Sequence, residues 1–516
     1  MGHRQATATS ASLLLSGALL LSGALLLTAC TSTKHSADTP SSAGPVSESA
    51  LSSALASAPA STSAAAASSA ATSAVASSPA ASASSSSAAS AAASAAAHPA
   101  AIWPTYHHDA ARTGNAGNVP AVSTLKVVAT SKLDGALYAS PLVLHDSKGN
   151  LIIAATENNT LYGLRDHAGV VWTRHIGTPV NGSSLPCGNI NPTGITGTPV
   201  YDPATGLVFA VAFLAGNHHE LVAVDAETGA VAWTRPVDPP GSHPEVEQER
   251  GALLLSNGVV WVPFGGLAGD CGPYHGYLVG VPTSGPSRAA AIYQVPSSRE
   301  AGIWTPAGAA ADSAGHVYVS VGNGEQTNPK AAYDMSDSVI ELQGTKVVSF
   351  FAPASWASEN SADLDLGTTG PLLLPNNQVF VAGKNGNAYL LKQGALGGVG
   401  GAVPAIGLCT AFGGAAYVDG TIFVPCTDGV RAVKVSGTTM TPTWHAAPPG
   451  SPIVGGGAVL SVNGGALVAL DPGSGAVKAK VSLGDATTRF VTPAMSADGH
   501  VYVGTQGGAL VIVATS

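Results

Sequence analysis

Charge is scarce in this chain: 21 Lys+Arg and 30 Asp+Glu make up only 10% of 516 residues, for a net charge of -9. That balance excludes a nucleic-acid polyanion as principal partner, because phosphate neutralisation needs clustered Lys and Arg. Aromatic residues are few at 5%, and there are only four Met and five Cys. The first hundred residues hold just Arg4, Lys34, Asp38 and Glu48, so the acidity belongs to the remainder. No Gly-rich phosphate loop precedes a helix, no zinc-ligand spacing occurs and no hydrolase nucleophile elbow is found. What is abundant is Gly (62), Pro (35), Val and Ala. With charge so sparse, this composition reads as many short strands joined by tight turns and rules out a helical bundle.

After Arg4, Ala11 to Leu27 is uncharged and rich in Leu, Ala, Ser and Gly. It is shorter than a bilayer span and has the form of a signal-peptide core. It ends in Leu27-Thr28-Ala29-Cys30, which resembles the bacterial lipobox, and this implies a signal peptide over 1–29 and a lipidated Cys30. Several acyl chains give stable membrane anchoring, so the expected location is outside the cytoplasm, tethered to a membrane. Residues 31–100 are mostly Ala and Ser and contain no aromatic residue. They cannot bury enough apolar surface to order themselves. The expectation for 30–100 is therefore a disordered stalk, with a reach of roughly 45 Å if it behaves as a flexible coil.

From Leu151 onward one pattern recurs: an apolar β-rich triplet, a polar turn, a second apolar run and a Gly-bearing turn. Triplets such as Leu151-Ile152-Ile153, Val259-Val260-Trp261, Val379-Phe380-Val381 and Val501-Tyr502-Val503 each have a partner run, and eight such pairs can be traced. At about 49 residues per repeat, each suits one four-stranded antiparallel blade. The last repeat supplies three strands before Ser516. Leu125 to Leu133 has the composition of a fourth, so a closure strand at about 124–133 is expected to complete the ring and leave no edge unpaired. The expected fold is all-β: one eight-bladed β-propeller over 101–516.

Ala223-Val224-Asp225-Ala226-Glu227-Thr228-Gly229, followed by Trp233 and echoed without the Trp at Ala469 to Gly475, resembles the tryptophan-docking repeat of pyrroloquinoline-quinone (PQQ) type propellers. The lead-in from Trp103 to Gly114, with His107, His108, Asp109 and Arg112, is similar to the start of those domains. That family holds quinoprotein alcohol dehydrogenases and also non-enzymatic lipoproteins such as the outer-membrane assembly propeller. Fold follows from the resemblance; function has to be argued from the site.

In an up-and-down blade, the loop after strand two and the link to the next blade share one face. Cys187, Cys271, Cys409 and Cys426 all fall on that face by this rule. Exported cysteines even in number normally pair, so Cys409 with Cys426 is the first pairing expected and Cys187 with Cys271 the second, free buried thiols being the other reading. The same face collects Trp304, Asn323, Asp363, Asp365 and Lys384. The resemblance implies Trp304 as a floor under PQQ, Asn323 and Asp363 as calcium ligands, Asp363 or Asp365 as metal-binding general base, and Lys384 as the cation polarising a quinone oxygen. Each also has a structural reading: blade packing for Trp304, a left-handed turn for Asn323, turn acceptors for the aspartates and a solvated turn charge for Lys384. Two departures stand out. No two cysteines are adjacent, and the position of the family's calcium-binding Glu falls at or beside Cys271, where Asp270 is the only carboxylate. His218-His219 is a further, weaker candidate metal pair. Two functions are therefore expected. One is a non-catalytic surface lipoprotein binding a protein, peptide or glycan and needing no cofactor. The other is a membrane-anchored, PQQ- and calcium-dependent dehydrogenase of alcohols or sugars.

Overall fold

The computed structural model describes residues 98–167, 169–488 and 490–516. The expected signal segment, Cys30 and nearly all of the stalk lie outside them. The described chain forms eight sheets arranged as the blades of a propeller, antiparallel except where Lys346–Ala352 pairs parallel with the short strand Gly398–Val399. Blade one runs Leu142–Asp146, Gly149–Thr156, Thr160–Arg165 and Gly169–His175, from the axis outward. Blade five, Leu372–Leu374, Gln378–Ala382, Asn387–Lys392 and Ala405–Gly407, has the same order. Ring closure is as expected: Lys126–Lys132 pairs antiparallel with Ala509–Ala514 and becomes the outer strand of blade eight. The edge of Ala509–Ala514 is thereby covered.

The apolar triplets are inner strands with both faces covered. Leu207–Leu214 is buried along nearly its whole length, whereas the outer strand Val231–Pro236 alternates with solvent. The core accordingly lies between blades. Phe209 and Val211 of blade two pack with Val260, Val262 and Phe264 of blade three, and Phe380 and Leu390 of blade five pack with Ile422 and Val424 of blade six. The docking repeat works across the same seam. Trp172, from the outer strand of blade one, donates Nε1–H to the Ala226 carbonyl (3.0 Å), and Trp444 of blade six does the same to Pro472 (2.9 Å). Each indole lies over a glycine, Gly229 or Gly475. Both glycines hold a positive φ and have the indole where a Cβ would sit, so only glycine fits.

The lead-in has a larger role than its sequence announces. Ala100–Trp103 pairs with the innermost strand of blade one. Carbonyls of Pro104, Ala110, Ala111, Thr113 and Gly114 then accept N–H bonds from Tyr201, Ala311, Leu373, Tyr417 and Val454. Those donors belong to the inner rims of blades two, four, five, six and seven. Blade three is reached through Arg112, whose guanidinium is 2% exposed. It donates to the carbonyls of Leu253 (3.0 Å), Ala309 (2.8 Å) and Tyr106 (2.9 Å) and to Thr105 Oγ1 (2.7 Å). The segment circles the axis once, touches blades one to seven in turn and leaves as the closing strand of blade eight.

Candidate functional site

The face bearing the strand-two loops and the blade links, here the upper face, carries a cavity of about 200 Å³. Its lining includes all five residues that the sequence singled out: Trp304, Asn323, Asp363, Asp365 and Lys384. They come from four segments. Trp304 is in the link into blade four, and Asn323 follows that blade's second strand, Val317–Val321. The two aspartates follow the short helix Trp356–Ala362, and Lys384 follows Gln378–Ala382. Asp363 caps that helix in a left-handed conformation (φ 52°), which turns the chain so that Asp365 goes inward to 1% exposure. Gly383 lets the two segments touch. A Cβ there would stand 2.6 Å from the Asp365 carbonyl, which accepts the Lys384 N–H at 2.8 Å.

Lys384 is the centre of an ionic triad. Its ammonium lies 2.5 Å from Asp363 Oδ1 and 2.6 Å from Asp365 Oδ2 and is only 18% exposed. The other oxygen of Asp365 accepts the Asn323 N–H at 2.5 Å. Burial pushes the Asp365 carboxyl up, against the pull of Lys384 and that N–H. For Lys384 burial acts downward, but the two carboxylates outweigh it and hold the ammonium above its ordinary range. The ammonium also stands 5.9 Å from the centre of the Trp304 ring. Two structural expectations from the sequence are thereby corrected. Lys384 is no solvated turn charge, because the turn folds it back onto two carboxylates. Asn323 has no left-handed backbone, since it is absent from the positive-φ residues and its N–H is fixed by Asp365 instead.

The remaining wall comes from Gly266 to Asp270, Tyr274, Arg250 and Phe412. Asp270 accepts the Tyr274 hydroxyl at 2.6 Å, and burial pushes that phenol well above its usual range. The wall is clamped from outside. Cys187 is bonded to Cys271 with Cα atoms 6.1 Å apart, and the Gly188 N–H donates to the Ala268 carbonyl at 3.0 Å. Cys409 and Cys426 form the second disulfide. Arg250 opens blade three, with its guanidinium 5.8 Å from the Phe490 ring centre. Burial holds that guanidinium below its ordinary value.

Arg250, Tyr274 and Phe412 were not anticipated. The one signal for Arg250 is that it is the sole Lys or Arg between Pro239 and Leu253 in a chain poor in both. His218-His219 is not brought to a metal site. His219 is a core side chain, stacked on Phe213 (4.1 Å between rings) and hydrogen-bonded through Nδ1 to Asp238 (2.7 Å). Among the described residues, the group of Asp and His side chains close enough to share an ion is Asp166, Asp498 and His500, in the strand-one and strand-three loops of the opposite face. A similar Gly-His-Val-Tyr-Val stretch in blade four ties Asp312 to His316 and Tyr318, which marks this pattern as a turn lock of the blade.

The calcium and PQQ that the family resemblance implies fit this lining poorly. Both oxygens of Asp365 have donors already, and Lys384 stands where a cation bound by Asp363 and Asp365 would have to be. The cofactor is tricyclic with three carboxylates, whereas a cavity for a drug-sized molecule is roughly 300 Å³ or more. Here about 200 Å³ is open, and of the two cations in the lining one is held by two aspartates.

No family model and no curated relative matches the chain. Among solved structures it is similar to the quinohemoprotein alcohol dehydrogenase ADHIIG of Pseudomonas putida HK5, at 13% identity and a TM-score of 0.64 over 80% of each chain. It is also similar to BamB of Moraxella catarrhalis, at 14% identity and a TM-score of 0.51 over 76% of this chain and 97% of that one. At these identities the likeness is one of fold.

Proposed function

We propose that this protein is an exported, non-catalytic binding module, held to a membrane through Cys30 and a stalk, whose upper face receives a ligand. The observation that carries this reading is the Asp363–Lys384–Asp365 triad. A quinoprotein site needs a carboxylate free to hold calcium and take a substrate proton, and a cation free to polarise a quinone oxygen. Here each neutralises the other at 2.5 to 2.6 Å. The two disulfides support export, since such bonds persist in oxidising compartments. Loops and links on a rigid ring are where binding surfaces ordinarily reside.

The dehydrogenase reading is favoured by one observation, the gathering of Trp304, Asn323, Asp363, Asp365 and Lys384 around one cavity. One experiment separates the two. Purified protein is mixed with PQQ and calcium and assayed for dye reduction with alcohols and aldoses. The expected result is none. Cofactor-dependent reduction that disappears in Asp363→Ala would establish the enzyme. The tether has its own check: Cys30→Ala should abolish acyl labelling of the precursor.

A further inference from the structure

Other buried and half-buried arginines among the described residues have acceptors. Arg112 makes four hydrogen bonds, and Arg165 makes a two-point contact with Asp146. Arg250 is different. Among the described residues its guanidinium has no hydrogen-bond or ion-pair partner; its contact is the ring of Phe490, and it lines the upper cavity. A guanidinium carries five N–H donors in a flat fork. Half-buried in the cavity lining, that fork has no protein acceptor among the described residues and is free to take one from a ligand.

The rest of the lining limits what that can be. Trp304, Tyr274 and Phe412 give the cavity aromatic walls. Asp270, Asp363 and Asp365 oppose a multiply charged anion, because Lys384 is already held by two of them. A fork of N–H groups matches a carboxylate in two-point fashion. On size, a cavity of about 150 Å³ is known to take one benzene ring. This one, at about 200 Å³, has room for a ring and a carboxylate. We propose that the upper cavity binds a small monocarboxylate with a flat apolar body, its carboxylate on Arg250 and its body against the aromatic walls. This rests on the upper face being a binding site, and it names the ligand class.

Such a group can come as a free acid or as the C-terminal carboxylate of a peptide ending in an aromatic residue. Calorimetric titration and thermal shift would use benzoate and acetyl-Gly-Gly-Phe, each against its amide. The expected result is that at least one carboxylate binds tenfold or more tightly than its amide. Arg250→Met should remove that preference, and Arg250→Lys, which keeps the charge without the fork, should restore part of it. Benzoate alone binding identifies a free acid; the peptide alone identifies a chain terminus. Equal binding of acid and amide, no binding of either acid, or an unaltered preference in folded Arg250→Met overturns the inference. None of those results bears on the non-catalytic reading, which fails only if PQQ and calcium support dye reduction.

Discussion

Two arginines, one buried and one half-buried, mark the part of this molecule that holds the ring and the open cavity on its upper face. Arg112 sits in the axial lead-in, where two of its hydrogen bonds tie that segment to the inner rims of blades three and four and two more fold the segment on itself. Arg250 sits in the upper cavity against an aromatic ring and without acceptors. The same side chain is buried and hydrogen-bonded in one place and half-buried without acceptors in the other. The difference is in the surroundings: around Arg112 backbone carbonyls of the lead-in and of two blades converge, while the cavity offers rings and carboxylates already engaged. Burial alone therefore says little about an arginine; its partners decide what it does.

The comparison is tested most severely at Arg112. Arg112→Met should leave the carbonyls of Leu253, Ala309 and Tyr106 short of donors in a dry interior, at about 1–3 kcal/mol for each group. A loss of about 5 kcal/mol, or failure to fold, is expected in urea unfolding. A variant as stable as the parent would show that the lead-in is not what closes the axis.

Lys384 comes next. Lys384→Ala removes the partner of Asp365, whose carboxylate is 1% exposed and would keep only the Asn323 N–H. Breaking such a pair costs about 3 kcal/mol. Urea unfolding measures this, and Asp365→Asn in the same background should recover part of the loss, because the neutral amide has no charge to bury. An unchanged midpoint for Lys384→Ala would return this lysine to the status of a solvated turn charge.

The outcome at Lys384 illustrates how far the residues could be read without coordinates. The eight blades were legible because an inner strand covered on both faces must be an uninterrupted apolar run, as in Leu207–Leu214. The closing strand was legible from the three strands left before Ser516. The positions of Trp304, Asn323, Asp363, Asp365 and Lys384 on one face followed from blade geometry, and they do share a cavity. What could not be read was which of them touch. The turn at Asp363 and the close approach at Gly383 bring an ammonium onto two carboxylates, and no local pattern encodes that. The circuit of the lead-in was hidden for a similar reason, because it is made by backbone carbonyls that any residue carries. Arg250 was missed because its place depends on links from several blades converging.

A graded effect should appear with pH at Glu157, just after the second strand of blade one. Its side chain is 1% exposed, and burial pushes its acid up to about 7 from an ordinary value near 4.5, against the pull of Arg250. Above the unfolded value the unfolded chain releases this proton while the folded one retains it. Its contribution to stability therefore falls as pH rises from about 4.5 to about 7 and changes no further beyond that. The loss across the window should be on the order of 3 kcal/mol. Glu157→Gln should flatten that part of the profile, measured by urea unfolding at a series of pH values. A profile unaltered by the substitution would mean that this carboxyl titrates alike in the folded and the unfolded chain.

The smallest effect is expected where the comparison says most, at Arg250 itself. Arg250→Met deletes no hydrogen bond among the described residues and replaces a half-buried charge by an apolar chain of similar reach. The stability of the ligand-free protein should therefore change by less than about 0.5 kcal/mol, in contrast to the large loss at Arg112. One consequence should still be visible. Arg250 lowers the Glu157 pKa, so its removal should move the Glu157 transition to higher pH. Urea unfolding of Arg250→Met and Arg112→Met side by side, at several pH values, reads both effects. If Arg250→Met proves as damaging as Arg112→Met, the guanidinium is part of the scaffold, and the distinction between a structural and an unsatisfied arginine falls. If stability holds while the Glu157 transition rises, the charge is present in the cavity without being needed by the fold, as a group reserved for a ligand should be.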